Sequence, residues 1–131
     1  MTARGLSSIL YVEDDPDIRT VAQMALEVVG GFSVTACASG AEALAAIERN
    51  LVPDLFLLDV MMPEMDGPAT LSALRRLPPV SHVPAIFMTA KVQENEVALY
   101  KWLGAIGVIA KPFDPMQLSQ QLRQLWEAGK N

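Results

Sequence analysis

Among 131 residues there is one cysteine and one histidine. With Cys37 alone, no intramolecular disulfide can form and a cysteine-based zinc site is excluded; its apolar surroundings mark it as a small buried hydrophobe. The histidine, His82, lies near Pro79 and Pro84 in an expected loop and reads as a surface residue. Long apolar runs are also missing. After Met1-Thr2-Ala3-Arg4-Gly5 only the short stretch around Ile9 to Val12 is apolar, far below the roughly 18 residues that span a membrane. Acidic residues follow where a signal peptide would need a small-residue cleavage site. No membrane association is expected, and the cytoplasm is the expected location. No Lys/Arg run or basic aromatic stripe occurs, and fifteen acids against ten bases give a net charge of -5, so direct nucleic-acid binding is not expected. Repeats, linkers and low-complexity tracts are absent too, which makes residues 1–131 a single domain with a core from about 7 to 128.

What the sequence does have is apolar residues, about half of the chain, enough for one core in a domain of common size. Apolar runs of strand length alternate with stretches of helical period, the pattern of βαβ units with a parallel sheet between helix layers. Five such pairs can be drawn. Ser8 to Val12 is a strand; Asp15 then caps a helix that starts at Pro16 and presents Ile18, Val21, Ala22, Ala25 and Val29 as its apolar face, until Gly30-Gly31 stops it. Phe32 to Ala38 is the second strand, and Ser39 to Glu42 has capping-box spacing before a second helix. Leu55 to Leu58 is continuously apolar, as befits a strand buried on both faces, and it delivers Asp59. Asp66-Gly67-Pro68 turns into a third helix, Ala69 to Arg76, ended by Pro78-Pro79. Ala85 to Met88 delivers Thr89, a fourth helix runs from about Glu94 to Leu103, and Gly107 to Ala110 delivers Lys111. Asp114-Pro115 caps a last helix carrying Leu118, Leu122 and Leu125. Trp102 and Trp126 fall in helices and read as packing residues.

Ligands of open parallel α/β sheets sit beyond the carboxyl ends of the strands. Glu13 and Asp14, Asp59, Thr89 and Lys111 all fall there, so parallel strands would let the five converge. Clustered carboxylates repel one another and call for a counter-charge. Mg²⁺ suits a small open oxygen cluster of this kind. A carboxylate beside Mg²⁺, a hydroxyl and an ammonium is the equipment of phosphoryl transfer, with Asp59 as the nucleophile. Asp15 reads as a helix cap rather than a ligand.

Four segments, Ile9-Leu10-Tyr11-Val12-Glu13-Asp14-Asp15, Asp59-Val60-Met61-Met62-Pro63-Glu64-Met65-Asp66-Gly67, Met88-Thr89-Ala90 and Lys111-Pro112-Phe113, resemble the receiver domain of two-component response regulators. The resemblance covers nearly the whole chain. It implies a doubly wound, flavodoxin-like α/β fold with a five-stranded parallel sheet in the order 2-1-3-4-5 and helices on both faces. It also implies that Asp59 is the phosphoacceptor, that Asp14 and Asp59 bind Mg²⁺ with Glu13 acting through water, and that the Met61 carbonyl completes the protein's ligands. Thr89 would bond a phosphoryl oxygen and Lys111 would pair with carboxylate or phosphate, ahead of a cis Lys111-Pro112 bond. The implied partners are a sensor histidine kinase or phosphotransfer protein and a downstream protein bound on the face of helix four, strand five and helix five. With no output domain in the sequence, the expected product is a protein contact or onward phosphotransfer, not turnover of a substrate.

The sequence departs from the family pattern at Val108, where many receivers carry Tyr or Phe, so an aromatic switch must be absent or replaced. Glu13 stands where aspartate is frequent, and its extra methylene is compatible with water-mediated ligation. Two rival readings are a receiver-like scaffold that works without phosphorylation, and a Mg²⁺-dependent phosphatase with an aspartyl-phosphate intermediate. Such phosphatases commonly place a second acid two residues after the nucleophile, where this chain has Met61.

Overall fold

A computed structural model describes residues 5–129. Strands β1 (Ser8–Val12), β2 (Ser33–Cys37), β3 (Leu55–Asp59), β4 (Ala85–Thr89) and β5 (Gly107–Ala110) alternate with helices α1 (Pro16–Met24), α2 (Gly40–Glu48), α3 (Gly67–Arg75), α4 (Glu94–Trp102) and α5 (Leu118–Gly129). The strands form one sheet in the order β2-β1-β3-β4-β5, and every pairing is parallel. All the carboxyl ends therefore share one edge. The central strands β3 and β4 are buried at every residue, which explains why their sequences are continuously apolar rather than alternating.

Side-chain alternation divides the core in two. Leu10, Val12, Phe56, Leu58 and Phe87 face α2 and α3, with Tyr100 of α4 packed against that side. Ile9, Tyr11, Leu57, Met88 and Ile109 face α1 and α5 through Ala22, Leu26, Leu118 and Leu122. The doubly wound α/β architecture expected from the resemblance is the one observed, and the Lys111-Pro112 bond is cis.

Caps follow the sequence signals closely. Asp15 accepts from the amides of Asp17 and Ile18 at the start of α1, and Asp66 accepts from Ala69 at the start of α3. Ser39 accepts from Glu42, while the Glu42 carboxylate reaches back to the Ala38 amide. Cys37 is buried and His82 is exposed.

Three local expectations are corrected. The first helix does not keep a 3.6-residue period to its end: Ala25–Val29 forms a π-turn, with Gly30 N donating to Ala25 O. Leu26 within this turn is fully buried, while Val21 and Val29, expected on the apolar face, are 45% and 46% exposed. Gly30 is required there, because a β-carbon would lie 2.2 Å from Ser119 Oγ. The last helix starts later than Pro115. Asp114 instead closes a turn, its side chain accepting from Met116 and its carbonyl from Gln117 and Leu118, and α5 begins at Leu118. Trp102 is not a packing residue; it is 81% exposed on α4. Ala128 and Gly129 are helical, and residues 1–4, 130 and 131 lie outside the described residues.

Candidate functional site

Main-chain bonds between strands fix each chemical residue at the carboxyl edge. Glu13 N donates to Cys37 O at 3.0 Å, Val60 N beyond Asp59 donates to Met88 O at 3.0 Å, and Lys111 N donates to Thr89 O at 2.9 Å. With a side-chain period of two, Glu13, Asp59 and Lys111 continue the sheet face that carries Tyr11, Leu57 and Ile109 below them. They reach the rim together.

Carboxylate oxygens of Glu13, Asp14 and Asp59 lie within 4.8 Å of one another. Lys111 Nζ donates to Glu13 Oε1 at 2.9 Å and to Asp59 Oδ1 at 3.0 Å. Glu13 Oε2 also accepts from Asp15 N at 3.2 Å. Glu13 and Asp59 are buried, with only 1% and 2% exposure, and Asp14 is the most open of the three. Burial pushes the Glu13 carboxyl up to about 7; the Lys111 hydrogen bond opposes this and the Asp59 charge adds to it. Burial likewise raises Asp59 against the pull of Lys111. For Lys111, burial alone would lower the ammonium, but its bonds to Glu13 and Asp59 outweigh that and raise it.

One ammonium thus compensates two buried carboxylates while a third acid stands close by. The residual negative charge and the all-oxygen donor set fit a hard divalent cation that keeps part of its water, as Mg²⁺ does. Met61 lies two residues past Asp59 in the β3–α3 loop, with its side chain exposed. Thr89 is buried at the end of β4, and its hydroxyl accepts from Lys91 N at 3.1 Å. Its hydrogen bond therefore goes to the β4–α4 loop, whereas Glu13, Asp59 and Lys111 bond one another.

Two residues behind the site have no counterpart in the sequence reading. Arg19 on α1 donates to the carbonyls of Glu13 at 2.8 Å and Asp14 at 3.5 Å, clamping the β1–α1 loop from below. Tyr11 is fully buried one pleat beneath Glu13. Arg19 stands one helical turn beyond the Asp15 cap, a place from which a long cation can reach back. No short motif announces a bond to main chain. The one signal Tyr11 carries is that it is the only aromatic residue of β1, set between aliphatic neighbours.

A parallel sheet in this order, with acids at the ends of β1 and β3 and a lysine at the end of β5, defines a receiver-type signalling module. The chain belongs to the response regulator receiver domain family, whose family model matches residues 9–123. That family is a signalling module of two-component systems and works with histidine kinases and downstream targets. The chain is 42% identical to the transcriptional regulatory protein CseB of Streptomyces avermitilis over 88% of its own length and 47% of that protein. It is 39% identical to a 14.6 kDa protein of Leptolyngbya boryana, covering 88% of this chain and 87% of that one. It thus spans about half the length of CseB and most of the smaller relative. Among solved structures, the Vibrio cholerae chemotaxis protein CheY4 superposes with a TM-score of 0.83 at 29% identity, covering 92% of this chain and 99% of CheY4. Among the described residues, no helix is long and apolar enough to cross a membrane.

Proposed function

We propose that the chain is a single receiver domain acting as a phosphorylation-dependent switch, with Asp59 accepting a phosphoryl group from a histidine kinase or phosphotransfer protein. An Asp59 carboxylate oxygen attacks phosphorus, the bond from phosphorus to the donor's imidazole nitrogen breaks, and that nitrogen keeps the electron pair. Glu13, Asp14, Asp59 and the Met61 carbonyl are the residues that would hold Mg²⁺, which when bound spreads the charge of the transferring phosphoryl oxygens. Lys111 adds a second positive charge beside the acceptor. The observation that carries this reading is the Lys111 ammonium bridging Glu13 and Asp59 at 2.9 and 3.0 Å at the carboxyl edge of the sheet. A purely structural ion pair would not need a second buried acid and a third acid within 4.8 Å.

The output follows from Thr89. To reach a phosphoryl oxygen its hydroxyl turns away from the Lys91 amide, and the β4–α4 loop loses a tether. Helix α4 lies next along the chain. Leu99 and Trp102 are strongly exposed there, and Val108 lines a groove with Val97 and Leu125 between α4 and α5. This α4–β5–α5 face is the proposed downstream docking surface, with Trp102 as the aromatic anchor that such interfaces favour. Moving the switch from about 1:99 to 99:1 takes roughly 5.5 kcal/mol of differential stabilisation, and the contacts of Thr89 and Lys111 to the phosphoryl group supply part of it.

The test is intact mass after incubation with acetyl phosphate, with and without Mg²⁺, for wild type and Asp59→Asn. A Mg²⁺-dependent gain of one phosphoryl group in wild type alone is expected. Binding of Mg²⁺ without any modification, from acetyl phosphate or from a kinase, would instead favour the scaffold reading.

A further inference from the structure

Among the described residues, two buried side-chain oxygens lack a hydrogen-bond partner, the hydroxyls of Tyr11 and Thr70. Thr70 lies on α3 with its hydroxyl close to Gly40 of α2. Tyr11 is different. It stands on β1 two residues before Glu13 and on the same sheet face, and its registered neighbour on β3 is Leu57, two residues before Asp59. Tyr11 and Leu57 are therefore the layer directly beneath the two carboxylates that Lys111 bridges. Two residues of strand rise about 6.6 Å, a span that a tyrosine side chain can bridge, directly or with one water. A phenol keeps its proton at neutral pH, so toward a carboxylate the Tyr11 hydroxyl can only donate. Phenylalanine would fill the same space without stranding a polar atom.

A use for this donor appears when the site is loaded. Glu13 Oε1 is now held by Lys111; a doubly negative phosphoryl group on Asp59 draws the ammonium toward itself and weakens that hold. We propose that Tyr11 is a positioning residue that supplies a hydrogen bond to Glu13, directly or through one water, when Lys111 turns from Glu13 to the phosphoryl group. In the free state no protein atom accepts from the hydroxyl, whereas the loaded state frees Glu13 to do so, which biases the site toward loading. This rests on Asp59 being the phosphoacceptor.

The experiment compares wild type with Tyr11→Phe in the full 131-residue chain, using Mg²⁺ alone and then Mg²⁺ with beryllofluoride as the phosphoryl mimic. Metal-free thermal stability is expected to be unchanged or higher in Tyr11→Phe, and affinity for Mg²⁺ alone to stay within about twofold. Beryllofluoride affinity is expected to fall about tenfold, the scale of one hydrogen bond to a charged group. Unchanged Mg²⁺ affinity together with weakened beryllofluoride affinity is a split that a packing role would not produce. Equal beryllofluoride affinity in the two proteins overturns the proposal for Tyr11, as does a matching loss of metal-free stability. If wild type itself takes up no beryllofluoride while binding Mg²⁺, the phosphoacceptor reading fails first and the role of Tyr11 falls with it.

Discussion

Glu13 titrates near neutrality in the metal-free protein, pushed up to about 7 by burial first, where an ordinary glutamate sits at 4.5. Between those values the folded chain holds a proton that the unfolded chain has lost. The stability this gives is complete below about 4.5 and disappears as pH rises through about 7. Asp59 is raised as well and acts with the same sign. Scanning calorimetry in a chelator should therefore show Tm falling from pH 5 to pH 8. Saturating Mg²⁺, which needs the deprotonated carboxylates, should flatten or reverse that slope; an unchanged slope would remove these acids from the metal site. By the same logic Asp59→Asn takes away one of two like charges bridged by a single ammonium. At pH 8 without metal it is expected to stabilise the fold by about 1 kcal/mol, measured by urea denaturation, while losing the acceptor oxygen. The acids were legible in the sequence because each ends an apolar strand, where an unpartnered charge is costly. Tyr11 and Arg19 were not, because their roles depend on which pleat or helical turn faces the site.

At the scale of elements, caps and turns were readable because each is written in a few adjacent residues: Asp15 and Pro16, Ser39 and Glu42, Asp66 with Gly67-Pro68. The π-turn at Ala25–Val29 was not. It closes with Gly30 N donating to Ala25 O where Ser119 of α5 lies close by, and periodicity within α1 carries no trace of it. Gly67 shows how tightly the site loop is tied to the fold. A β-carbon there would stand 2.6 Å from Asp59 O and 2.9 Å from Val60 Cα, both main-chain atoms, and Gly67 N donates to Val60 O. Neither neighbour can swing aside as a side chain would. Gly67→Ala is expected to cost about 1–3 kcal/mol of stability and to weaken Mg²⁺ binding, since the displaced segment leads directly to Met61. Denaturant midpoints and metal titration on one sample would check both, and a Gly67→Ala protein of wild-type stability would show that the loop can relax.

On the scale of the whole molecule, firm and loose halves coexist around one sheet. Strands β3 and β4 are entirely buried, and α1 with α5 encloses Leu26, Leu118 and Leu122. Helix α4 has no buried residue; Tyr100 holds it to the sheet edge-on to Phe87 at a centroid distance of 5.4 Å. The fold class was legible because alternation of strand and helix admits few architectures. The exposure of Trp102 was not, since a large aromatic in a helix is read as core by default, and only the three-dimensional face turns it outward. Local opening is easiest where few apolar contacts must break, so amides of α4 should exchange with deuterium faster than those of α5. Loading with Mg²⁺ and beryllofluoride should alter exchange over residues 89–103, through release of the Lys91 amide by Thr89, and leave β1 to β3 unchanged. If α4 were as protected as α5, or blind to loading, the switch would have to run through another face, and the exposed Trp102 would need a different explanation. A change confined to 89–103 would instead mean that Val108 has removed the aromatic relay without removing the coupling, because Thr89 already holds the loop from which α4 starts.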